Sequence, residues 1–288
     1  MLSEAEYHRP TDVESACRIL ADEEEAIVVA GGQSLSLLTK EGVIDPEILV
    51  DINHVDALRG VEQRGDHLWI GATTTHRKIE TDDLVADTAP SLAEAAGRIA
   101  DVQIRNAGTI GGVAAYADPT ADYPPVFLVL SATIVAETVD GTEEYPASDF
   151  FVGYYRSALD EQELVTEVRL PIPGENEGTA FRKLAFREND RAIVNAAARV
   201  AFDGDVCTDA AVAVGATTNK PMLSADAADA LIDTEATPDD VERAGTAARE
   251  EIRVAPDPSI SEEYRAEMTE NLVANALEEA IDRAGGNA

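Results

Sequence analysis

The sequence lacks the residue clusters that bind metals. Its 288 residues include only two cysteines and four histidines, and their positions do not have the spacing of a metal site. An iron–sulfur cluster normally takes four thiolates, so Cys17 and Cys207 are too few for one. Cys17 lies on the apolar face of a predicted helix, where a buried thiol is the ordinary outcome. The sequence therefore predicts no metal site of its own.

Long hydrophobic runs are also missing. No stretch approaches the ~20 apolar residues needed to span a bilayer. Residues 1–6 are acidic, whereas a secretory signal begins with basic residues followed by an apolar segment. We therefore expect a soluble, cytoplasmic protein without membrane insertion.

Positive charge is scarce. The chain has 56 acidic and 22 basic residues, a net charge of −34, which argues against nucleic acid or an anionic membrane as a partner. An apolar content of 45% in periodic patterns argues against disorder. Only four of the 22 basic residues are lysines. Acid-rich, lysine-poor surfaces suit molar salt, where the Debye length is only about 3 Å and self-repulsion is screened. The composition thus favours a halophilic, haloarchaeal protein.

The nucleotide motifs G-x-G-x-x-G and G-x-x-x-x-G-K-[ST] are absent, which argues against a Rossmann or P-loop domain. The chain has instead two loops of small residues. Residues 30–35, Ala-Gly-Gly-Gln-Ser-Leu, follow a short apolar run that is predicted to be a buried strand. Paired glycines let the backbone turn sharply and approach a ligand, and successive amides can form an anion nest. Residues 105–112, Arg-Asn-Ala-Gly-Thr-Ile-Gly-Gly, have the same character. Together the loops predict a clamp for the two phosphates of a dinucleotide.

Hydrophobic periodicity predicts an alternation of helices and strands in the first 170 residues. A capping box at Thr11 predicts a helix over 11–21, and Pro90 divides a helical stretch over 81–100, with Ser91 as the cap of its second part. The other predicted elements are a helix over 126–130 and strands over 26–30, 48–52, 68–75, 132–137 and 164–170.

Residues 171–178 combine proline, glycine and polar residues and are predicted to be a linker. Beyond them we predict three antiparallel strands, over 179–187, 196–202 and 210–217. Helices follow from Thr237, whose next residue is a proline, and from about Ser261, with Gly285 and Gly286 as the stop. This last third carries no recognisable chemistry.

The pair of loops resembles the FAD-binding medium subunits of the molybdenum hydroxylases, a family that includes xanthine dehydrogenase and aerobic carbon monoxide dehydrogenase. The resemblance covers nearly the whole chain and continues through segments 70–74, 118–122, 149–154 and 180–184. It implies an α+β fold: a vanillyl-alcohol-oxidase-type (PCMH) FAD-binding domain of two α/β subdomains, followed by a small α+β C-terminal domain of the carbon monoxide dehydrogenase flavoprotein type. The implied boundaries are 1–174, with subdomains about 1–56 and 57–174, and 178–288.

The resemblance also implies a site. FAD would lie between the first two subdomains, with its pyrophosphate held by the backbone of 29–35 and 109–112. Gln33 stands where the carbon monoxide branch often has histidine. The implied cofactor-binding residues are Val29, Ala30, Gly31, Gly32, Gln33, Ser34, Leu35, Thr73, Thr74, Thr109, Ile110, Gly111, Gly112, Asp118, Asp122, Arg182 and Lys183.

Several of these residues have an ordinary structural alternative. The resemblance implies that Asp122 hydrogen-bonds the cofactor, but Asp122 could instead be a helix cap or turn residue. It also implies that Arg182 or Lys183 lies near the flavin ring, but either could instead be a charged side chain on an exposed strand face. The resemblance implies that Thr73 and Thr74 line the pocket, but these β-branched residues could instead simply favour a strand. Outside the implied set, Tyr154 and Tyr155 are expected in the core, although they could instead pack near the flavin or at a subunit contact, and His54 and His76 are expected on the surface.

The implied function is electron relay. A large molybdopterin subunit would oxidise the substrate, and a small subunit with two [2Fe–2S] clusters would carry the electrons to the FAD subunit. The FAD subunit would pass them to an external acceptor such as NAD, a quinone or ferredoxin. No catalytic side chain is required, because the cofactor does the redox chemistry. Two alternatives stay open: a self-contained flavin oxidoreductase of the same fold, and a scaffold subunit that has lost FAD.

Overall fold

A computed structural model describes residues 5–285, in which helices and sheets are mixed throughout. This confirms the α+β prediction. The predictions for residues 1–4 and for Gly286 lie outside the described residues. No helix in residues 5–285 has both the length and the apolar character needed to cross a bilayer.

The first sheet consists of three parallel strands in the order β1-β3-β2. Its strands are β1 (Glu6–His8), β2 (Ala26–Val29) and β3 (Ile48–Asp51), and its helices are α1 (Val13–Asp22) and α2 (Gln33–Lys40). Parallel neighbours need crossover connections, and α1 and α2 supply them. Helix α1 buries Ala16, Cys17 and Leu20, as its periodicity predicts.

The start of α1 differs from the prediction by two residues. Asp12, rather than Thr11, is the N-cap, and its carboxylate accepts a hydrogen bond from the Ser15 amide at 2.7 Å. Aspartate is at least as good an N-cap as threonine, so the helix begins at Val13.

The second sheet is antiparallel, with five strands in the order β4-β5-β10-β6-β7. They are β4 (Val61–Arg64), β5 (His67–Gly71), β6 (Thr133–Glu137), β7 (Thr142–Pro146) and β10 (Leu164–Pro171). A two-stranded ribbon, β8 (Phe151–Gly153) with β9 (Arg156–Ser157), lies before β10 in the chain.

Seven helices accompany this sheet. They are α3 (His76–Glu80), α4 (Asp83–Thr88), α5 (Pro90–Gly97), α6 (Val102–Arg105), α7 (Ile110–Tyr116), α8 (Tyr123–Val129) and α9 (Ala147–Phe150). Pro90 separates α4 from α5 as predicted, but it is the first residue of α5 and Ala89 is the N-cap. A proline fits there because the first helical amide needs no intrahelical partner, so Ser91 is not the cap.

The strand predicted over 68–75 ends at Gly71. Beyond it, the Thr73 amide donates to the Leu58 carbonyl at 2.8 Å, and the Thr74 amide donates back to Gly71 at 2.9 Å. The chain therefore turns, and the β-branched threonines that favour a strand by propensity lie in a turn instead.

The third sheet confirms the three predicted antiparallel strands and adds a short fourth. Its strands are β11 (Glu177–Leu184), β12 (Val194–Asp203), β13 (Val206–Gly215) and β14 (Met222–Leu223), and its helices are α10 (Ala225–Asp229), α11 (Pro238–Glu251) and α12 (Glu262–Arg283). Thr237 and Asp240 form a reciprocal capping box at the start of α11, and Ser261 caps α12, both where the sequence places a helix start.

The third sheet packs against the helices of the second. Phe181 and Ala197 belong to the same buried cluster as Phe127 and Val168, and the Phe181 amide donates to the Glu94 carboxylate of α5 at 2.9 Å. This packing brings the end of β11 beside the end of α5 and the loop that precedes α8, where Lys183 contacts the Arg98 carbonyl and Asp122.

Candidate functional site

A cleft of about 670 Å³ opens where the three main sheets meet. Its walls come from the loop after β2, from the segments around α6 and α7, and from the chain after β11. The volume is within the ~300–1,000 Å³ typical of small-molecule and cofactor sites.

The first glycine loop forms one wall. Gly32 has a φ of 65°, a left-handed conformation that glycine adopts without a Cβ penalty, and α2 begins at Gln33. The amides of Gln33, Ser34 and Leu35 are in the first helical turn and have no intrahelical acceptor. None of the hydrogen bonds among residues 5–285 uses them. The N-terminus of α2 therefore offers free donors and a positive dipole end to an anion.

Side chains from the first sheet and from the turn after β3 hold this loop in place. Asn53 donates from Nδ2 to the Ala30 carbonyl at 2.8 Å and to Oδ1 of Asp51 at 2.7 Å. The Tyr7 hydroxyl donates to Oδ2 of Asp51 at 2.6 Å. The loop is thus tied to β1 and β3, which makes it a rigid wall.

The second loop lies directly against the first. A Cβ placed on Gly31 would be 2.2 Å from the Ala107 carbonyl oxygen and 2.7 Å from Gly108 Cα. Real Cβ atoms do not approach backbone that closely, so only glycine permits this contact. Two turns that are far apart in the sequence therefore meet at one edge of the cleft, as a shared phosphate clamp requires.

The second loop does not present a row of free amides. The Ile110 amide donates to Thr74 O at 3.1 Å, Gly111 donates to Ala72 O at 2.9 Å, and Gly112 donates to Thr109 Oγ1 at 3.2 Å. The predicted hold of 109–112 on the pyrophosphate stays a prediction: the amides of Ile110, Gly111 and Gly112 are engaged within the protein, whereas no hydrogen bond among residues 5–285 uses the Thr109 amide. Gly111 and Gly112 line the cleft, and because they lack Cβ atoms they leave room for a ligand close to the backbone.

A buried ion pair closes another side of the cleft. Lys183 Nζ is 2.7 Å from Asp122 Oδ2, with side chains only 1% and 5% exposed. Asn195 donates to Asp122 Oδ1 at 3.2 Å, and Lys183 also donates to the Arg98 carbonyl at 2.9 Å. Burial raises the pKa of Asp122 to about 6, with the neighbouring ammonium of Lys183 acting against that rise. Asp122 precedes α8 but makes no capping hydrogen bond, so its carboxylate serves the ion pair.

Most of the implied site residues line the cleft: Ala30, Gly31, Gly32, Gln33, Ser34, Thr109, Gly111, Gly112, Asp118, Asp122 and Lys183. The others do not line it: Val29, Leu35, Thr73, Thr74, Ile110 and Arg182. Ile110 is buried in the core.

Local geometry explains the residues that turn away. Thr73 and Thr74 donate from their hydroxyls to Leu58 O at 2.8 Å and Gly60 O at 3.0 Å. Neighbouring residues of a strand point to opposite faces, so Lys183 reaches the cleft whereas Arg182 faces α12, where it donates to Glu279 at 2.9 Å.

His76 is a cleft residue that the sequence does not reveal. It is only 3% exposed, so the surface prediction is wrong, whereas the exposed His54 agrees with it. Thr75 caps α3 and turns His76 inward, where its ring packs edge-on against Tyr123 at a centroid distance of 5.4 Å. Sequence spacing carries no signal for this, because the partners come from distant loops.

The aromatic residues after β8 also differ from expectation. Tyr154 and Tyr155 are exposed, so their assignment to the core is wrong. Tyr155 instead packs against Tyr116 at 5.1 Å and lies 3.5 Å from Arg191, which lines the cleft.

Burial of His76 predicts an acid-sensitive fold. Burial first, and the charge of Arg105 second, lower the pKa of His76 from 6.5 to about 3. A depressed histidine pKa stabilises the folded state above about pH 6.5, and this stabilisation is lost as pH falls towards about 3. As the pH is lowered through that window, we expect the free energy of unfolding of the wild type, relative to that of His76→Gln, to decrease by up to ~1.4 kcal/mol per pH unit. Denaturant titrations of both proteins check this, and parallel pH profiles would contradict it.

Comparison with known proteins gives the same family over nearly the whole chain. The family described as "FAD binding domain in molybdopterin dehydrogenase" matches residues 3–173, and the "CO dehydrogenase flavoprotein C-terminal domain" matches residues 179–280.

Relatives that match over nearly their full length include subunits of dehydrogenases. The 6-hydroxypseudooxynicotine dehydrogenase complex subunit alpha of Paenarthrobacter nicotinovorans is 35% identical, over 97% of this chain and 95% of its own. The carbon monoxide dehydrogenase medium chain of Afipia carboxidovorans is 32% identical, over 97% of each. A solved chain of carbon monoxide dehydrogenase from Hydrogenophaga pseudoflava superimposes with a TM-score of 0.94 at 33% identity, covering 98% of this chain and 99% of that one.

Proposed function

The chain belongs to the family of FAD-binding medium subunits of molybdenum hydroxylases, of the carbon monoxide dehydrogenase and xanthine dehydrogenase type, and on that premise we propose that it binds FAD in the cleft and relays electrons from [2Fe–2S] clusters to an external acceptor. The observation that carries this proposal is the contact of the two glycine loops, with Gly31 against Ala107 and Gly108.

The residues of the cleft fit FAD. The free amides of Gln33 and Ser34 suit a diphosphate, and the glycines of both loops leave its approach open. Ile99, Ile104 and Val113 give the cleft an apolar lining, which suits aromatic rings. When bound, FAD would supply the redox chemistry, since the isoalloxazine can exchange one or two electrons.

The chain itself would bind and orient the cofactor and shield it from water. The Asp122–Lys183 pair would fix the wall between the second and third sheets. Relatives that are named as a subunit of a dehydrogenase complex and as a medium chain support placing the iron–sulfur clusters and the molybdenum in partners: a small [2Fe–2S] subunit and a large molybdopterin subunit.

The division into a FAD-binding domain over 1–174, with subdomains about 1–56 and 57–174, and a C-terminal domain over 178–288 is part of this proposal. It is supported by the three separate sheets, the third of which begins at Glu177. A cytoplasmic location remains a prediction from composition.

Reconstitution with FAD tests the proposed function. We expect the chain to take up one FAD with the absorbance bands of a flavoprotein, to show no bleaching by substrates when alone, and to become reduced when the iron–sulfur and molybdenum subunits and substrate are added. A chain that takes up no FAD would point to the scaffold alternative. Bleaching by a substrate without any partner would point to a self-contained oxidoreductase.

A halophilic, haloarchaeal origin is also proposed, from the net charge of −34. At low salt the acidic side chains repel one another over longer distances, because the Debye length grows from about 3 Å at 1 M to about 30 Å at 0.01 M. We expect the far-ultraviolet circular dichroism of the folded chain to require molar salt and to decline on dialysis into dilute buffer. Full folding without salt would contradict the halophilic assignment.

A further inference from the structure

We propose that His76 donates a hydrogen bond from Nε2 to an oxygen acceptor of the bound cofactor, at the place where the two glycine loops meet. The inference rests on the proposed binding of FAD in the cleft and adds a binding residue to it. The acceptor would be a diphosphate oxygen or a hydroxyl of the ribityl chain, which offer the same chemistry.

His76 is held at the junction of the loops. Its backbone amide donates to the Gly108 carbonyl at 2.9 Å. A Cβ on Gly108 would be 2.7 Å from His76 Nε2, so this edge of the ring lies beside Gly108, and both residues line the cleft. Gly108 is in turn the residue whose Cα lies against Gly31. Nε2 is therefore next to the backbone that a diphosphate would approach.

The other ring nitrogen identifies the tautomer. Nδ1 of His76 is 3.1 Å from the hydroxyl of Tyr123, which is fully buried. A buried hydroxyl proton needs an acceptor, and in residues 5–285 the only hydrogen-bond partner of this hydroxyl is Nδ1. Tyr123 is thus the donor and Nδ1 the acceptor.

The ring carries a single proton. Burial lowers the pKa of His76 to about 3, so the imidazole is neutral at physiological pH and its one hydrogen is on Nε2. This N–H has no acceptor among the described residues. A nearly buried donor without a partner loses free energy, and a cofactor oxygen in the cleft would satisfy it.

Titration with FAD tests the role of Nε2. We expect His76→Phe, which keeps an aromatic ring but removes the donor, to bind FAD about tenfold to a hundredfold more weakly than wild type. Tyr123→Phe should weaken binding in the same direction but less, because it frees His76 to change tautomer. His67→Phe, at a half-buried strand position outside the cleft, is the matched control and should bind as wild type does.

A spectroscopic measurement does not depend on any variant folding. In wild type with ¹⁵N-labelled histidine, we expect the His76 signals of an Nε2-protonated neutral ring, and we expect the Nε2–H resonance to shift when FAD is added. The signals of His54 and His67 should stay in place. A ring protonated on Nδ1, or an Nε2–H resonance that FAD does not move, would overturn the inference.

Fragments distinguish the two acceptors. If the acceptor is the diphosphate, ADP binding weakens in His76→Phe and riboflavin binding does not; the reverse pattern identifies the ribityl chain. Equal FAD affinity of His76→Phe and wild type would overturn the role of His76 and leave the proposed function intact. Absence of FAD binding by the wild type would instead overturn the proposed function.

Discussion

Gly31→Ala is expected to abolish stable FAD binding. The new Cβ would be 2.2 Å from the Ala107 carbonyl oxygen and 2.7 Å from Gly108 Cα, and both atoms belong to backbone that cannot rotate away. The second loop would have to move away from the first, and this movement would widen the gap in which the diphosphate is held. Overpacking of this kind costs about 1–3 kcal/mol in stability, and we expect the affinity for FAD to fall by at least about a hundredfold. Flavin absorbance after gel filtration and a thermal melt measure the two effects.

Gly42→Ala is the matched control for this substitution. Gly42 follows α2 with a φ of 71° and has no atom within 4 Å of a Cβ, so its substitution costs ~1–2 kcal/mol of backbone strain without touching the second loop. We expect this variant to lose stability and to keep FAD. If Gly31→Ala binds FAD as well as Gly42→Ala does, the contact of the loops is not what forms the site.

The sequence predicts that the two glycine loops must approach a shared ligand, but it does not predict the direct contact between them. A strand followed by paired glycines indicates a turn where backbone approaches something closely, and the sequence shows this twice. The sequence does not show that Gly31 approaches the second loop itself, because that depends on how α6 and β2 pack. For the same reason the sequence does not reveal that the Ile110 and Gly111 amides are hydrogen-bonded to the Thr74 and Ala72 carbonyls.

The direction in which individual side chains point could not be predicted from the sequence either. Strand alternation says that Arg182 and Lys183 face opposite sides, but only the docking of β11 on α5 and α12 decides which one reaches the cleft. The same is true of His76 at the start of α3. It directly follows the Thr75 cap, and contacts from distant segments of the chain bury it. Elements with strong periodicity, such as α1 and the strands of the third sheet, were predictable because their local pattern and their packing agree.

Lys183→Met is expected to be the most destabilising of the charge changes. It leaves Asp122 buried without its cation, and breaking a buried pair typically costs about 3–5 kcal/mol. The cost depends on pH. The pKa of Asp122 is already raised by burial to about 6 and rises further once the ammonium is gone, so the carboxyl is protonated and tolerated at low pH and is forced to ionise at high pH. The stability deficit against wild type should therefore be small near about pH 5 and large near about pH 8.

The neighbouring Arg182→Met separates this effect from loss of charge in general. Arg182 is partly exposed and pairs with Glu279 and Glu94, and pairs of that kind contribute about 0–1 kcal/mol, so its variant should show a small deficit without a pH trend. Adding Asp122→Asn to Lys183→Met removes the unpaired carboxyl, and we expect the double variant to recover most of the stability at about pH 8. Denaturant titrations of the variants and wild type at both pH values measure this. If Lys183→Met showed the same deficit at both pH values, the loss would come from packing of the lysine stem, and the ion pair would not be what holds the third sheet against the cleft.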